Sequence, residues 1–229
     1  MLEYMNINDY VSQFINGNGK NRGRKPTERY ASFDYCFNYF QQFRDAKTFG
    51  KMADDEHMEM SCLHLAFYLA SWGMFRGSSF LLERSAKFFE PLITAISSMD
   101  ENIWNVDADN YTDENIDLLI KCAGIISDKC GKSNGPTDTL ITKIMLGVFG
   151  NVPAFDDYFR KGFGCHSFGK KNLKMIKGFY ENHKGQIDAA VIFTFDFSGA
   201  ETERCYTKAK IIDMIGFIKG QQIQKNRIQ

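Results

Sequence analysis

The sequence holds no apolar run near the ~20 residues that a membrane-spanning helix needs, so no span is expected. Its opening, MLEYMNINDYV, lacks a basic segment followed by an apolar stretch, so no signal peptide is expected and the cytoplasm is the expected location. There is no CxxC pair. The six cysteines, Cys36, Cys62, Cys122, Cys130, Cys165 and Cys205, come no closer than eight residues apart, and reduced thiols are expected, with Cys36 and Cys62 in the core. No Cys/His set has metal-ligand spacing, so neither zinc nor any cofactor is expected. The Gly-rich run GFGCHSFGKK lacks the GxxxxGK[ST] spacing of a phosphate loop. The acidic run NVDADNYTDEN lacks the central glycine of an EF-hand and its twelfth-position glutamate, counted from Asn105, and is expected to be a solvated loop. Internal repeats and low-complexity tracts are also missing. Net charge is zero.

What is present is ordinary for a globular chain. The 229 residues are 44% hydrophobic and 24% charged, enough for one globular unit. Such a chain buries roughly 70% of its unfolded surface without staples. Aromatics reach 14%, with 21 Phe and 10 Tyr, so a ring-rich core is expected.

The neutral total hides segregated charge. KNRGRKPTER (20–29) carries five bases and one acid, and residues 160–184 carry seven Lys or Arg and one Glu. DENIWNVDADNYTDENID (100–117) carries seven acids and no base. Each run reads either as a solvated helix face or as a local patch, basic ones for a polyanion.

Apolar spacing is helical almost throughout. Helices are predicted over 29–45, 57–75, 79–98 with a break near Pro91, 112–129 capped by Thr112, and 137–150. A further helix is predicted over 153–163 with Pro153 in its first position, and two more close the chain. The run 57–75, apolar on most sides, is expected to be the central buried helix. AAVIFTFDFSG (189–199) alternates like a strand but has no evident partner, and is read as a loop or extended insert. The polar stretch 17–27 is the best candidate for a mobile loop. The predicted fold is all-α, two-lobed, with about eight to ten helices.

GPTDTLITKIMLGVFGNVPAFDDYF holds a turn, a helix, a second turn and an acid at the next helix start. Over about residues 112–165 this order resembles the helix-hairpin-helix DNA glycosylase superfamily. There a hairpin of two helices grips a DNA phosphate through backbone N–H groups. The following helix begins with Pro and Asp, and that Asp supports N-glycosidic cleavage. The resemblance implies that Asp156 is catalytic and that the chain is a DNA-binding protein acting on a damaged or modified base. It also implies lobes of about 60–150 and of 1–59 with 151–229. The family's Leu-Pro-Gly-x-Gly hairpin is CGKSNGP here, and its Pro-Val-Asp is Pro-Ala-Phe-Asp. Where lyase-capable members carry a lysine, 18 residues before the Asp, this chain has Asp138; Lys143 is 13 before it, on the helix body. LHLAFYLASWGMFRGSSFLL also resembles uncharacterised bacterial proteins, which brings no function with it.

The chemistry stands without the family. Glycosidic cleavage develops positive charge on the sugar, and a nearby carboxylate stabilises it or positions a water. Asp156 suits that role if it faces a cleft; otherwise Asp156 and Asp157 simply complement a helix N-terminus. Asp157 is expected to be the solvent-facing one. Lys143, Arg160, Lys161, Lys170, Lys171 and Lys174 are the expected DNA contacts. Arg76, between two glycines in SWGMFRGSS, is a candidate anion contact or a tie for helix-end carbonyls. His64 is expected in the core and His166 on the surface. The alternative to a DNA enzyme is a non-enzymatic helical module that docks another protein through its charged faces.

Overall fold

The computed structural model describes residues 6–19, 22–131 and 136–226. Among them nine α-helices, linked by loops and 3-10 turns, and one small sheet make an all-α protein. The helices are α1 (Ile7–Asn16), α2 (Ser32–Asp45), α3 (Met58–Ser71), α4 (Glu90–Ser97), α5 (Asp113–Lys129), α6 (Asp138–Phe149), α7 (Asp157–Phe163), α8 (Lys170–Ala189) and α9 (Lys208–Asn226). Thr112 and Thr137 cap α5 and α6 by accepting the N–H groups of Asn115 and Leu140. Gly150, with φ of 70°, ends α6 in the left-handed conformation and returns its N–H to the Met145 and Leu146 carbonyls.

The buried side chains form one cluster running from Ile7 to Ile218. Its centre is α6, in which every residue from Leu140 to Phe149 is buried. This corrects the expectation for α3. That helix is apolar on most sides, but it leaves Met60, Leu63 and Phe67 on an exposed face. α3 still approaches α6 closely: a Cβ on Gly147 would stand 2.5 Å from the Tyr68 ring.

α7 lies almost backbone to backbone on α9. A Cβ on Gly220 would stand 1.9 Å from the Tyr158 carbonyl oxygen, and one on Gly162 would stand 2.2 Å from that of Gly216. Absent side chains therefore set the helix separation and fix where α7 begins.

Other expectations change with the structure. α1 was not anticipated; Asn6 caps it and Ile7, Val11 and Phe14 bury its apolar face. The break in 79–98 falls at Arg84 and Ser85, between 3-10 turns, because Pro91 occupies the first turn of α4, where proline is tolerated. The strand-like run has a partner: β1 (Phe193–Phe195) pairs antiparallel with β2 (Glu201–Cys205). Asp196 Oδ1 builds the turn by accepting from the Ser198 and Ala200 N–H groups.

The 17–27 stretch is tied down at Arg24. That guanidinium is buried, bonding Asp34 at 3.1 Å and the Phe193 carbonyl at 2.6 Å. Asp34 also accepts from Tyr206 and from the Phe195 N–H. One polar knot thus joins the N-terminal loop, α2 and the hairpin. The acidic run is not simply solvated either: Asp107 accepts from the Lys208 and Ala209 N–H groups, both at 2.7 Å, at the start of α9. Lys132–Gly135, within the turn read as a phosphate-gripping hairpin, lies outside the described residues, as does Lys20 of the basic run.

Candidate functional site

The segment after Gly150 does not begin a helix at Pro153. Residues 151–156 are irregular, with a bend at Val152 and a tight turn that bonds the Asp156 N–H to the Ala154 carbonyl, and are stapled on both sides. The Tyr111 hydroxyl donates to the Asn151 carbonyl, and Asp213 of α9 accepts the Ala154 N–H. Thr142 of α6 accepts the Phe155 N–H, and Thr139 donates to the Phe155 carbonyl. Thr139 thus holds the Phe155 carbonyl that a helix from Pro153 would have turned to the Phe159 N–H, and Asp156 takes that N–H instead, so α7 starts only at Asp157, with Asp156 as its cap.

Asp156 uses its two oxygens differently. Oδ1 accepts the Phe159 N–H at 2.9 Å and caps α7. Oδ2 faces Lys143 Nζ at 3.8 Å, and the two side chains are only 16% and 6% exposed, respectively. Lys143 donates to the carbonyl of Trp72, the residue that ends α3, at 2.9 Å. Burial raises the Asp156 pKa, opposed by the Lys143 charge and the Phe159 N–H. Burial lowers that of Lys143; Asp156 and Asp213 oppose this, and Arg29 and Arg76 add to it. Behind the pair, Lys210 and Asp213 form a second buried pair at 2.8 Å, with Lys210 Nζ also 4.6 Å from the centre of the Phe33 ring.

Asp156 and Lys143 line a cleft of about 370 Å³. Trp72, Tyr158 and Phe217 supply rings; Arg29, Arg76 and Lys161 supply further positive charge. Phe14, Tyr30 and Trp72 stack face to face, with ring centres 4.5 and 5.1 Å apart, and of these Trp72 reaches the cleft. Phe217 stands edge-on to Trp72 at 5.9 Å.

Of the residues singled out in the sequence, Asp156, Lys143, Arg76 and Lys161 come together here. Lys143 is buried and turned to Asp156, not displayed on the surface. Asp157 points outward, 85% exposed. Arg160 ties α7 to its surroundings, donating to the His166 carbonyl and to Thr139. Lys170, Lys171 and Lys174 are on α8 and do not line the cleft; Lys170 pairs with Asp117 and Lys174 with Asp113, both on α5. His64 is half-buried and stacked on Tyr39 at 4.2 Å, with its pKa lowered by burial. His166 is exposed. Arg29, Trp72, Tyr158 and Phe217 complete the site without a motif of their own, Arg29 lying in the basic stretch 20–29 and Trp72 in SWGMFRGSS.

Elsewhere, Asp54, Glu56 and His57 present donor atoms within 4.8 Å of one another, but Asp54 is engaged at the start of α3, accepting from the His57 N–H. All six cysteines are free thiols, and only Cys205 is exposed. Among the described residues no helix is long and apolar enough to cross a membrane. Comparison of the chain with protein-family models, with curated proteins and with solved structures gave no match.

Proposed function

We propose that this protein binds DNA and excises a damaged or modified base, with Asp156 as the carboxylate beside the reacting sugar. The observation that carries the reading is the Lys143–Asp156 pair in a ring-lined cleft with more cations than acids. As the C1′–N bond breaks, its electron pair leaves with the base, which takes up a proton, and positive charge grows on the sugar. A carboxylate held against C1′ lowers the energy of that charge. Water then adds at C1′ and releases a proton, for which Asp156 is the acceptor. A base in a stacked helix must first be turned out, and Trp72 offers a face on which the extruded ring stacks.

Lys143 adds a choice of nucleophile. Burial depresses its pKa, so more of the amine is uncharged than on a surface lysine. Borohydride reduction distinguishes the two routes, because amine attack leaves a trappable covalent adduct and water attack leaves none. The decisive experiment is single-turnover excision on oligonucleotides carrying a panel of modified bases. Asp156→Asn should lower the rate by about a hundredfold or more, while the exposed Asp157→Asn should leave it unchanged. No excision across the panel by the unaltered protein overturns the reading.

The second reading, a protein-docking module, has its own observation. Met60, Leu63 and Phe67 on α3 and Phe197 at the hairpin tip are exposed and line a groove of about 800 Å³. It predicts that Phe67→Ser and Phe197→Ser abolish partner capture while Asp156→Asn does not.

A further inference from the structure

Two guanidinium groups line the cleft without a carboxylate partner among the described residues. Arg29 is exposed, and its guanidinium lies over the Tyr30 and Trp72 rings, 5.2 and 5.4 Å from their centres. Arg76 is exposed and sits in the loop that follows α3. The loop makes room for it: Gly73 has φ of 77°, and a Cβ there would stand 2.8 Å from Arg76 Nε and 3.0 Å from Cζ. Any other residue at position 73 would be strained and would push the guanidinium away.

The surrounding charges do not neutralise them. The carboxylates lining the cleft are Asp156 and Asp157; the first is held by Lys143 and the Phe159 N–H, and the second lies 3.4 Å from Arg160. Lys161 donates to Gln224. Both arginines also act on Lys143, depressing its pKa through like charge, so three cations share one small volume. Elsewhere Arg24 pairs with Asp34 and Arg204 with Asp45, while Arg44 bonds the side-chain oxygens of Gln41 and Asn105 and Arg84 lies over the Phe88 ring. Unpaired guanidinium groups beside a cleft are complementary to an oxyanion, and their planar forks match phosphate oxygens.

We propose that Arg29 and Arg76 hold a phosphate group of the ligand whose ring enters the cleft, and that this phosphate is a phosphodiester of a nucleic-acid strand. The inference rests on reading the Asp156 cleft as the excision site, and it names the atoms that anchor the strand there. It also explains why Arg29 is held against the face of Trp72. The same contact that orients the guanidinium sets the phosphate beside the ring on which a base would stack.

The test uses the full chain, a labelled oligonucleotide carrying an abasic-site analogue, and inorganic phosphate. Arg29→Gln and Arg76→Gln should each weaken oligonucleotide binding about tenfold and lower the slope of log affinity against log salt by about one. Lys51→Gln, an exposed lysine outside the cleft, should change neither. Inorganic phosphate should raise the melting temperature of the unaltered protein and not that of the double variant. Arginine variants that keep full affinity and slope overturn the proposal, even if Asp156→Asn abolishes excision. Weakened binding in a protein that excises nothing sustains the anion site and removes the excision reading instead. Protection by phosphate with no oligonucleotide binding overturns the strand as the source and leaves a free phosphate compound as ligand.

Discussion

Lys143 Nζ and Asp156 Oδ2 face each other at 3.8 Å across a chain reversal. Lys143 stands midway along α6, ~10 Å of helix rise before Gly150. The irregular residues 151–156 then run back beside the helix, held by Thr142 and Thr139. Helix, left-handed glycine and returning segment together bring a buried base and a half-buried acid into one cleft.

The pair should be strongly coupled in stability. Lys143→Met leaves the Asp156 carboxylate low in exposure and without its cation, and should cost about 3 kcal/mol. Asp156→Asn keeps an oxygen to cap α7 and should cost less. The double variant should be more stable than the sum of the single effects allows, by about 1 kcal/mol or more. Urea unfolding of the four proteins checks this; strict additivity would mean that the two groups do not interact.

Much of this arrangement is readable locally. Thr112, Thr137 and Gly150 mark helix ends through their own side chains or backbone freedom, which the sequence displays directly. Asp156 is legible as an acid at a helix start, though its helix begins later than Pro153 suggests. The reason lies in the Phe155 carbonyl and the Phe159 N–H, which bond Thr139 and Asp156 instead of each other. The partner of β1 was illegible for a related reason. ETERC has no alternating apolar face, and its pairing depends on contacts such as Thr202 with Thr194 and Arg204 with Asn38. Arg29 and Trp72 reach the cleft only through the packing of α1, α3 and α9, which no local pattern encodes.

The α7–α9 contact should be intolerant of even one methyl. At Gly220 a Cβ meets the Tyr158 backbone, not a movable side chain, so one helix must shift. Gly220→Ala should destabilise the fold by about 2 kcal/mol or more and move Asp156 with α7. Gly178→Ala on α8, where an added Cβ meets nothing within 4 Å, is the control and should be neutral or stabilising. Comparable melting temperatures for the two variants would contradict the close contact.

The lysines of α8 should matter less for DNA than their number suggests. Lys170 and Lys174 already have carboxylate partners in Asp117 and Asp113. Releasing them onto a phosphate would expose those acids to the same strand. Reversing both lysines to Glu should therefore reduce oligonucleotide affinity less than Lys161→Glu alone, measured by fluorescence anisotropy across a salt series. A larger effect from the α8 variant would extend the proposed DNA-binding face to α8.

Asp107 should give stability a pH dependence opposite to that of a salt-bridged acid. Burial raises its pKa to about 6, although the N–H groups of Ala209, Lys208 and Ala108 favour the charged form. The folded-state value lies above the ordinary 3.8, so the folded protein binds the proton more tightly. The associated stability is present in full below pH about 4 and is lost as pH rises through about 6. Between pH 5 and pH 7 the unaltered protein should lose about 1 kcal/mol relative to Asp107→Asn, which cannot titrate there. Urea unfolding at both pH values reads this difference directly. No relative change over the same interval would mean that the three N–H donors, two of them at the start of α9, outweigh burial, and that Asp107 serves that helix as a carboxylate.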